Sequence, residues 1–284
     1  MRIALATNAE FANLFFDDDL LRVALRGLGV DVDAAVWDDP AVDWAAYDLV
    51  VVRSTWDYVE RRDEFVAWAH AVPRLENCAR LVEWNTDKTY LRGLTEAGVP
   101  VVPTAWVTSP TPLTDVGWDD VVVKPAVSAG ARNTLHAKAS DPEAQALLDR
   151  IVASGVTGMV QPYLDSVEGY GERSLLFCEG TFTHAVRRNP ALSTEGEERF
   201  AARPVEPTEA ELEVARAVLA EVGRPLLYAR VDVVPGPDGD PLLIELEVTE
   251  PQLFLRHSEA GTARLADAVV ARAGSVGSST TTGS

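Results

Sequence analysis

Two short stretches near the C-terminal end carry an unusual density of charge inside apolar runs: Tyr228-Ala229-Arg230-Val231-Asp232 and Leu243-Ile244-Glu245-Leu246-Glu247. Both read as strands, and the turn-forming cluster Pro235-Gly236-Pro237-Asp238-Gly239-Asp240 between them makes them a hairpin. Side chains two apart on a strand share a face, so Glu245 lies beside Glu247, and the partner strand can bring Arg230 and Asp232 opposite them. Three carboxylates converging inside apolar strands repel one another unless a cation sits among them. Hard oxygen donors of this kind suit Mg²⁺ or Mn²⁺. The same alternation would also arise on the solvent face of a half-exposed sheet, and the two strands alone leave that choice open.

Lys124 ends the β-branched run Val121-Val122-Val123 and precedes the small-residue loop Pro125-Ala126-Val127-Ser128-Ala129-Gly130-Ala131. A lysine there can neutralise phosphate oxygens while loop N–H groups approach them, or it can simply snorkel beside an ordinary turn. No GxxxxGK[ST] is present, which excludes a P-loop. Lys88 follows Asn85-Thr86, a sensible helix N-cap, and taken alone is a solvated helix residue. Arg187 and Arg188 end a strand; adjacent side chains point to opposite faces, so only one of them reaches a given site, and spacing does not say which.

A different kind of chemistry is offered by Arg53-Ser54-Thr55-Trp56-Asp57-Tyr58, which follows the wholly apolar Leu49 to Val52. The C-terminal end of a parallel strand is where an open α/β sheet presents groups to ligands. The guanidinium of Arg53 is expected to emerge there and take a carboxylate in a bidentate fork, with Ser54, Asp57 and Tyr58 beside it and Asp57 receiving an ammonium group. The alternative is an Arg53–Asp57 salt bridge that only fixes the loop. Nucleophile and zinc-protease patterns are missing: His70, His136, His184 and His257 are dispersed, and there is neither G-x-S-x-G nor HExxH.

The elements that must position these residues can be traced along the chain. Strands at Arg2–Thr7, Val32–Trp37 and Leu49–Ser54 alternate with a helix at Leu20–Leu28, the signature of βαβ units and a parallel sheet. Gly27-Leu28-Gly29 lacks a third glycine and marks a helix end rather than a dinucleotide site. A helix is expected over Asn85–Glu96, antiparallel strands at 121–125 and 133–138, a helix at Asp141–Ser154 and a buried strand at Met159–Leu164. Beyond Gly171 a hairpin turns at Glu179-Gly180, and helices are expected at Thr208–Val222 and Glu259–Ala273. The polar segment Asn189–Pro204, with Glu195, Gly196, Glu197 and Glu198, has the composition of a ligand-ordered lid.

The 284 residues are 47% hydrophobic, enough for a real core without metal or disulfide support. A formal charge of -19 argues against nucleic acid as a partner, because phosphate-backbone affinity needs clustered Lys and Arg. No run approaches the roughly 18 apolar residues of a membrane span. Cys78 and Cys178, 100 residues apart, read as buried thiols of a reducing compartment, so a cytoplasmic location is expected. Residues 274–284 are Gly, Ser, Thr and one Val and read as a disordered tail.

In chain order, Lys88, Lys124-Pro125 with its small-residue loop, Gln161-Pro162-Tyr163-Leu164, Gly171-Glu172, Arg188, Asp232 and Glu245-x-Glu247 resemble the ATP-grasp superfamily over about Met1 to Ala273. The resemblance is nearest to the glutathione-synthetase-like branch and, within it, to the cyclo-ligases that close the cycloserine ring. It implies an α/β ATP-grasp fold: a small parallel-sheet N-terminal domain (1–84), then two α+β lobes clamping ATP (85–164 and 165–273), then the tail. The cofactors implied are ATP and Mg²⁺ (or Mn²⁺). Lys88 and Lys124 would hold phosphates, the backbone of Gln161, Tyr163 and Leu164 would meet adenine, and Glu172 the ribose hydroxyls. Asp232, Glu245 and Glu247 would ligate metal, with Arg188 and Arg230 as the catalytic cations.

The implied reaction converts the carboxylate of a small amino-acid-like substrate into an acyl phosphate, which an amine nitrogen of the same or another molecule displaces. A non-catalytic ATP-binding regulatory module is the alternative, but sensing alone would need fewer carboxylates. Two departures from the family pattern matter. Glu247 stands where the family commonly has Asn, and Ser174 stands where glutathione synthetases carry Arg, which argues against glutathione synthesis. An apolar helix face can pack within one chain or between two, which leaves a homodimer open.

Overall fold

The computed structural model describes residues 1–189 and 201–275. The central part of the expected lid and residues 276–284 of the expected tail lie outside the described residues. Gly274 and Ser275, assigned to the tail, instead complete the last turn of a helix.

Four parallel strands open the chain: β1 (Arg2–Thr7), β2 (Asp31–Val36), β3 (Leu49–Val52) and β4 (Leu75–Glu76), in the order β2-β1-β3-β4. Period-2 alternation sorts their two faces. Ile3 and Leu5 pack on Leu21 and Leu25 of α1 (Phe16–Gly27) and on Leu265 and Val269 of α8 (Glu259–Ser275). Ala4 and Ala6 face Phe65 of α2 (Arg62–Ala71) and Val82 of α3 (Ala79–Asn85). Helix α1 starts four residues before the sequence pattern suggested, because Asp17, Asp18 and Asp19 occupy its first turn, where carboxylates complement the helix dipole.

A second sheet, order β5-β8-β6-β7, is antiparallel throughout and comprises β5 (Ala105–Val107), β6 (Asp120–Pro125), β7 (Leu135–Lys138) and β8 (Gly158–Pro162). Leu148 and Ile151 of α5 (Pro142–Ala153) close its apolar face against Val121 and Val123. The third sheet runs β11-β10-β9-β12-β13, with β9 (Glu172–Cys178), β10 (Thr181–Arg188), β11 (Ala202–Val205), β12 (Tyr228–Pro235) and β13 (Pro241–Glu247). One face is covered by α7 (Glu209–Val222), whose Thr208–Glu211 capping box satisfies its first turn. The opposite face splits in function. Leu176, Cys178 and Tyr228 enter the N-terminal core beneath α8, while further along the same strands the side chains turn polar.

One helix prediction fails at an informative place. The single helix expected over 85–96 is two, α3 and α4 (Tyr90–Glu96), with Lys88 in the turn between them. Asn85 is not an N-cap: its side-chain oxygen accepts from Val248 N (2.8 Å) and its amide donates to Leu246 O (2.7 Å), tying α3 to β13. Asp87 accepts from Thr89 N at 3.0 Å, a local turn that competes with helix, and Lys88 N donates to Ala126 O at 2.9 Å. Both cysteines are free thiols, and burial pushes Cys178 up to about 11. Among the described residues no helix is long and apolar enough to cross a membrane.

Asn77 fastens the N-terminal domain to the last sheet. Its buried amide donates to Tyr228 O (3.0 Å) and Val248 O, and accepts from Leu227 N at 2.7 Å. Asn77→Ala would strand buried backbone groups at about 1 to 3 kcal/mol for each left unsatisfied. With three such groups we expect a loss of at least about 3 kcal/mol, read as a lower urea midpoint at unchanged slope; a midpoint matching the parent would show that the tie is dispensable.

Candidate active site

A cavity of about 460 Å³ opens where the three sheets meet, a size typical of small-molecule sites. Most of the residues singled out from the sequence line it: Lys88, Lys124, Gln161, Tyr163, Leu164, Glu172, Arg188, Arg230, Asp232, Glu245, Glu247 and Tyr58. Arg53, Ser54 and Asp57 do not.

The hairpin register is the one the alternation called for, with Arg230 opposite Glu247 and Asp232 opposite Glu245. Between Asp232 and Val233 the register slips, making Ile244 an extra residue on β13. Bulges of this kind re-aim side chains next to sites, and here both Ile244 and Glu245 line the cavity. Strand β9 adds Ser174, paired with Asp232, and Glu172. Of the two arginines ending β10, Arg188 faces the cavity, contacting Ser174 Oγ (2.9 Å), Glu172 (2.6 Å) and Asp232 (2.7 Å). Arg187 turns to the other face and bonds the carbonyls of Tyr170 and Gly169 in the short helix α6 (Ser166–Tyr170). Gly171 makes this possible. A Cβ there would sit 2.5 Å from Arg188 O, in a backbone conformation (φ +77°) that side chains resist.

Charge in this cluster is crowded. Asp232 is fully buried between Arg230 and Arg188, and although burial works against ionisation the two guanidiniums hold its carboxyl below the usual range. Glu247 also pairs with Arg230, yet burial, together with Glu245 and Asp232, pushes it up to about 8. Glu245 meets Lys88 Nζ at 3.2 Å. Among the described residues no three acid, His or Cys side chains are closed on one point as metal ligands; each of these acids is drawn to a cation of the chain. The cluster is nonetheless short of positive charge, as Glu247 shows, and its donors are hard carboxylate oxygens. A divalent ion of the Mg²⁺ type fits that deficit.

The lysines differ. Lys88 Nζ donates to Ser128 O at 2.5 Å and so pins the small-residue loop while meeting Glu245. Lys124 forms no ion pair with any described residue. Burial, and Lys88 nearby, lower its pKa while Glu245 raises it. An ammonium held in a cavity wall without a counter-ion is a receptor for an anion. Beyond it the wall is apolar: Val102, Val167 and Val234 cluster with Tyr163, Leu164 and Ile244. Gln161 pairs with Val122 in the sheet and its amide is spent on Thr104 Oγ1 (2.9 Å), so side-chain hydrogen bonding is directed away from this slot.

At the far end the N-terminal domain contributes Asn8, Phe11 and Phe15 from the turn after β1, and Trp56 and Tyr58 from the turn after β3. This is the carboxyl end of the parallel sheet, as expected, but the residues are different ones. Arg53 does not emerge: it is fully buried, its Nε donating to Asp18 (2.8 Å) and its Nη2 to Pro251 O (2.6 Å). Ser54 Oγ also donates to Asp18, and Asp57 accepts from Trp37 Nε1 (3.0 Å) and Arg61 (3.2 Å) outside the cavity. Neither the substrate fork nor an Arg53–Asp57 bridge is formed. Helix α1, with its acidic first turn, reaches Arg53 first.

What Arg53 does instead is hold the segment after β13. Pro251 O accepts from Arg53, Glu250 O from Trp56 Nε1 (3.0 Å) and Gln252 O from Arg230, while Leu255 N and Arg256 N donate to Asp17. Glu250, Gln252 and Phe254 are thereby set into the cavity wall. Sequence reasoning passed over them, and over Phe11 and Phe15. The available signal was position for Phe11 and Phe15, which follow the carboxyl end of the parallel strand β1; nothing local marks the segment after the antiparallel β13. Removing one partner of a buried ion pair costs about 3 to 5 kcal/mol, so Arg53→Met should lower the denaturation midpoint by that order. Unchanged stability with a raised substrate KM would return Arg53 to the substrate.

Comparison with known proteins shows the family and the fold. Residues 3–82 match the family model of the N-terminal domain of D-cycloserine synthetase DcsG, and residues 101–259 that of the ATP-grasp domain of prokaryotic glutathione synthetase. The cycloserine biosynthesis protein DcsG of Streptomyces lavendulae is 33% identical over 95% of this chain and 98% of its own. A crystal structure of D-cycloserine synthetase DcsG superposes with a TM-score of 0.88 at 32% identity, covering 96% of this chain and all of that one. The ATP-grasp ligase PsnB, solved with a minimal precursor, Mg and ADP, shares the fold at 18% identity and a TM-score of 0.61, covering 96% and 98%. With its ATP-grasp domain matched over more than half its length and a relative matched nearly end to end, the chain belongs to the ATP-grasp ligases, in their cycloserine-synthetase-like group.

Proposed function

We propose that this ligase closes the ring of an O-ureidoserine-type substrate, using ATP to activate the substrate's own carboxylate. The observation that supports it best is the polarity of the cavity. Its walls combine a lysine that forms no ion pair with any described residue beside an apolar slot, an acid cluster short of positive charge, and aromatic rings supplied by the cycloserine-synthetase type of N-terminal domain. Residues 1–84, 85–164 and 165–273 are the proposed working units.

In this reading the purine occupies the slot of Val102, Val167, Val234 and Ile244, the backbone at Gln161, Tyr163 and Leu164 meets its edge, and Glu172 takes the ribose. Lys124 and Lys88 draw charge off the transferring phosphoryl group, and Lys88 keeps the Ser128 loop closed over it. Asp232, Glu245 and Glu247 would hold Mg²⁺, which would supply positive charge against the repulsion among the phosphate oxygens. The substrate carboxylate attacks the γ-phosphorus and ADP departs. Arg230 and Arg188, fixed by Asp232, stabilise the negative charge that builds on the acyl carbon's oxygen as the internal nitrogen attacks and phosphate leaves. Joining two ends of one bound molecule gains from proximity, which suits a small closed cavity.

Phosphate release should require ATP, Mg²⁺ and O-ureidoserine together, should stop with EDTA, and should accompany a ring-closed product by mass spectrometry. Release without that product would sink the ring-closing reading. Lys124→Met should cost about 2 to 4 kcal/mol of transition-state stabilisation, the scale of one preorganised charged donor; a rate loss below tenfold would make it an ordinary wall residue. Glu245→Gln should abolish turnover at unchanged melting temperature, whereas full activity would refute its place at the metal.

A further inference from the structure

Six carboxylates line the cavity, and they fall into classes by what neutralises them. Glu172 and Asp232 pair with Arg188, Asp232 and Glu247 with Arg230, and Glu245 with Lys88. Glu10 is exposed at the rim, where water suffices. Glu250 is different. It is buried, at 8% exposure, and forms no ion pair with any described residue; its partner is the equally buried hydroxyl of Tyr58. A hydroxyl donates one hydrogen bond and no charge; Lys88 and Arg230 act on Glu250 only from beyond ion-pair distance, and burial pushes its carboxyl up to about 7, so the ionised form lacks a direct cation.

The wall around it is aromatic. Trp56 fixes the Glu250 backbone through its indole N–H, and Phe11 and Phe15 pack edge-on against Trp56 at 5.4 and 5.2 Å. Rings together with a carboxylate are the environment that selects an organic cation over water. On the same segment the Gln252 side-chain amide is buried with a donor unspent. Asp57, the residue the sequence suggested for an ammonium group, is spent on Trp37 and Arg61.

The geometry points to Glu250, walled by Trp56 and Tyr58, as the subsite for the substrate's free α-ammonium group, on the side of the cavity formed by the N-terminal domain. This rests on the ligase reading above and adds the group by which the substrate is recognised. An ammonium supplies the positive charge that Glu250 lacks, and it orients the substrate so that carboxylate and internal nitrogen face the phosphoryl end. The subsite selects amino acids over otherwise identical acids without the amine.

The experiment measures binding by calorimetry to the Mg·AMP-PNP-loaded enzyme, using O-ureidoserine, its desamino counterpart 3-(ureidooxy)propanoate, and the two enantiomers of serine. Wild type should prefer O-ureidoserine to the desamino compound by at least 30-fold. Glu250→Gln should reduce that preference below threefold while the KM for ATP stays put, and Glu250→Asp should restore part of it. Equal wild-type affinity for the two compounds overturns the proposal without any variant, which covers a Glu250→Gln protein that fails to fold. A Glu250→Gln enzyme that keeps the preference but loses kcat overturns it too, and makes Glu250 a proton acceptor or a structural acid. Should O-ureidoserine support no phosphate release while a serine enantiomer binds wild type and is lost in Glu250→Gln, ring closure fails and the ammonium subsite stands. If no amino compound binds wild type, the subsite fails.

Discussion

Too many carboxylates in too little water is the constraint around which this molecule is arranged. Asp232, Glu245, Glu247 and Glu172 occupy neighbouring places on three adjacent strands, where mutual repulsion in a low dielectric would oppose folding. The chain meets this with three cations drawn from separate elements: Arg230 two residues before Asp232 on the same strand, Arg188 from the next hairpin, and Lys88 from the turn before α4. Each cation also has a second attachment. Arg230 donates to Gln252 O, Arg188 to Ser174 Oγ and Lys88 to Ser128 O. The electrostatics of the acid cluster therefore fixes the loops that surround it.

Seen this way, the domains are joined by polar contacts at the rim of the site as much as by apolar packing. The N-terminal sheet shares its core with α8 and with Leu176 and Tyr228, and over that core lie Asn77, Asn85, Arg53 and Asp17, each bonding backbone groups of the strand ends or of the segment following β13. Buried backbone groups without regular ladder partners have to be satisfied somehow, and here side chains from the N-terminal third do it. The result is a segment, residues 248–256, with irregular backbone and little freedom, which is what a substrate-facing wall requires.

The parts legible in the sequence are those governed by local rules. Alternation placed Arg230, Asp232, Glu245 and Glu247 on one face, and turn chemistry made the hairpin, because both depend on residues within a dozen positions. The parallel sheet and its ligand-presenting end followed from apolar runs separated by a helical pattern. The break between α3 and α4 was not legible, since Asn85 is recruited by Leu246 and Val248, some 160 positions away. The choice between Arg187 and Arg188 was likewise undecidable from strand spacing. It depends on which face of β10 meets Asp232 across β9.

Arg53 and Glu250 show the same limit from opposite sides. An arginine at the end of an apolar strand looks like a ligand fork, because strand ends face ligands and guanidinium matches carboxylate. Glu250, an acid next to a proline after another strand, carries no such local signal. The ligand-fork reading assumes that substrate is the nearest partner. In the folded chain the nearest partner of Arg53 is Asp18, 35 residues earlier on a helix that crosses the strand end, and the contact removes the arginine from the cavity. The same contact network pulls Pro251 inward, and with it Glu250, which arrives at the wall with no cation of the described residues within ion-pair distance. The charge that the sequence seemed to offer a ligand is thus spent inside the protein.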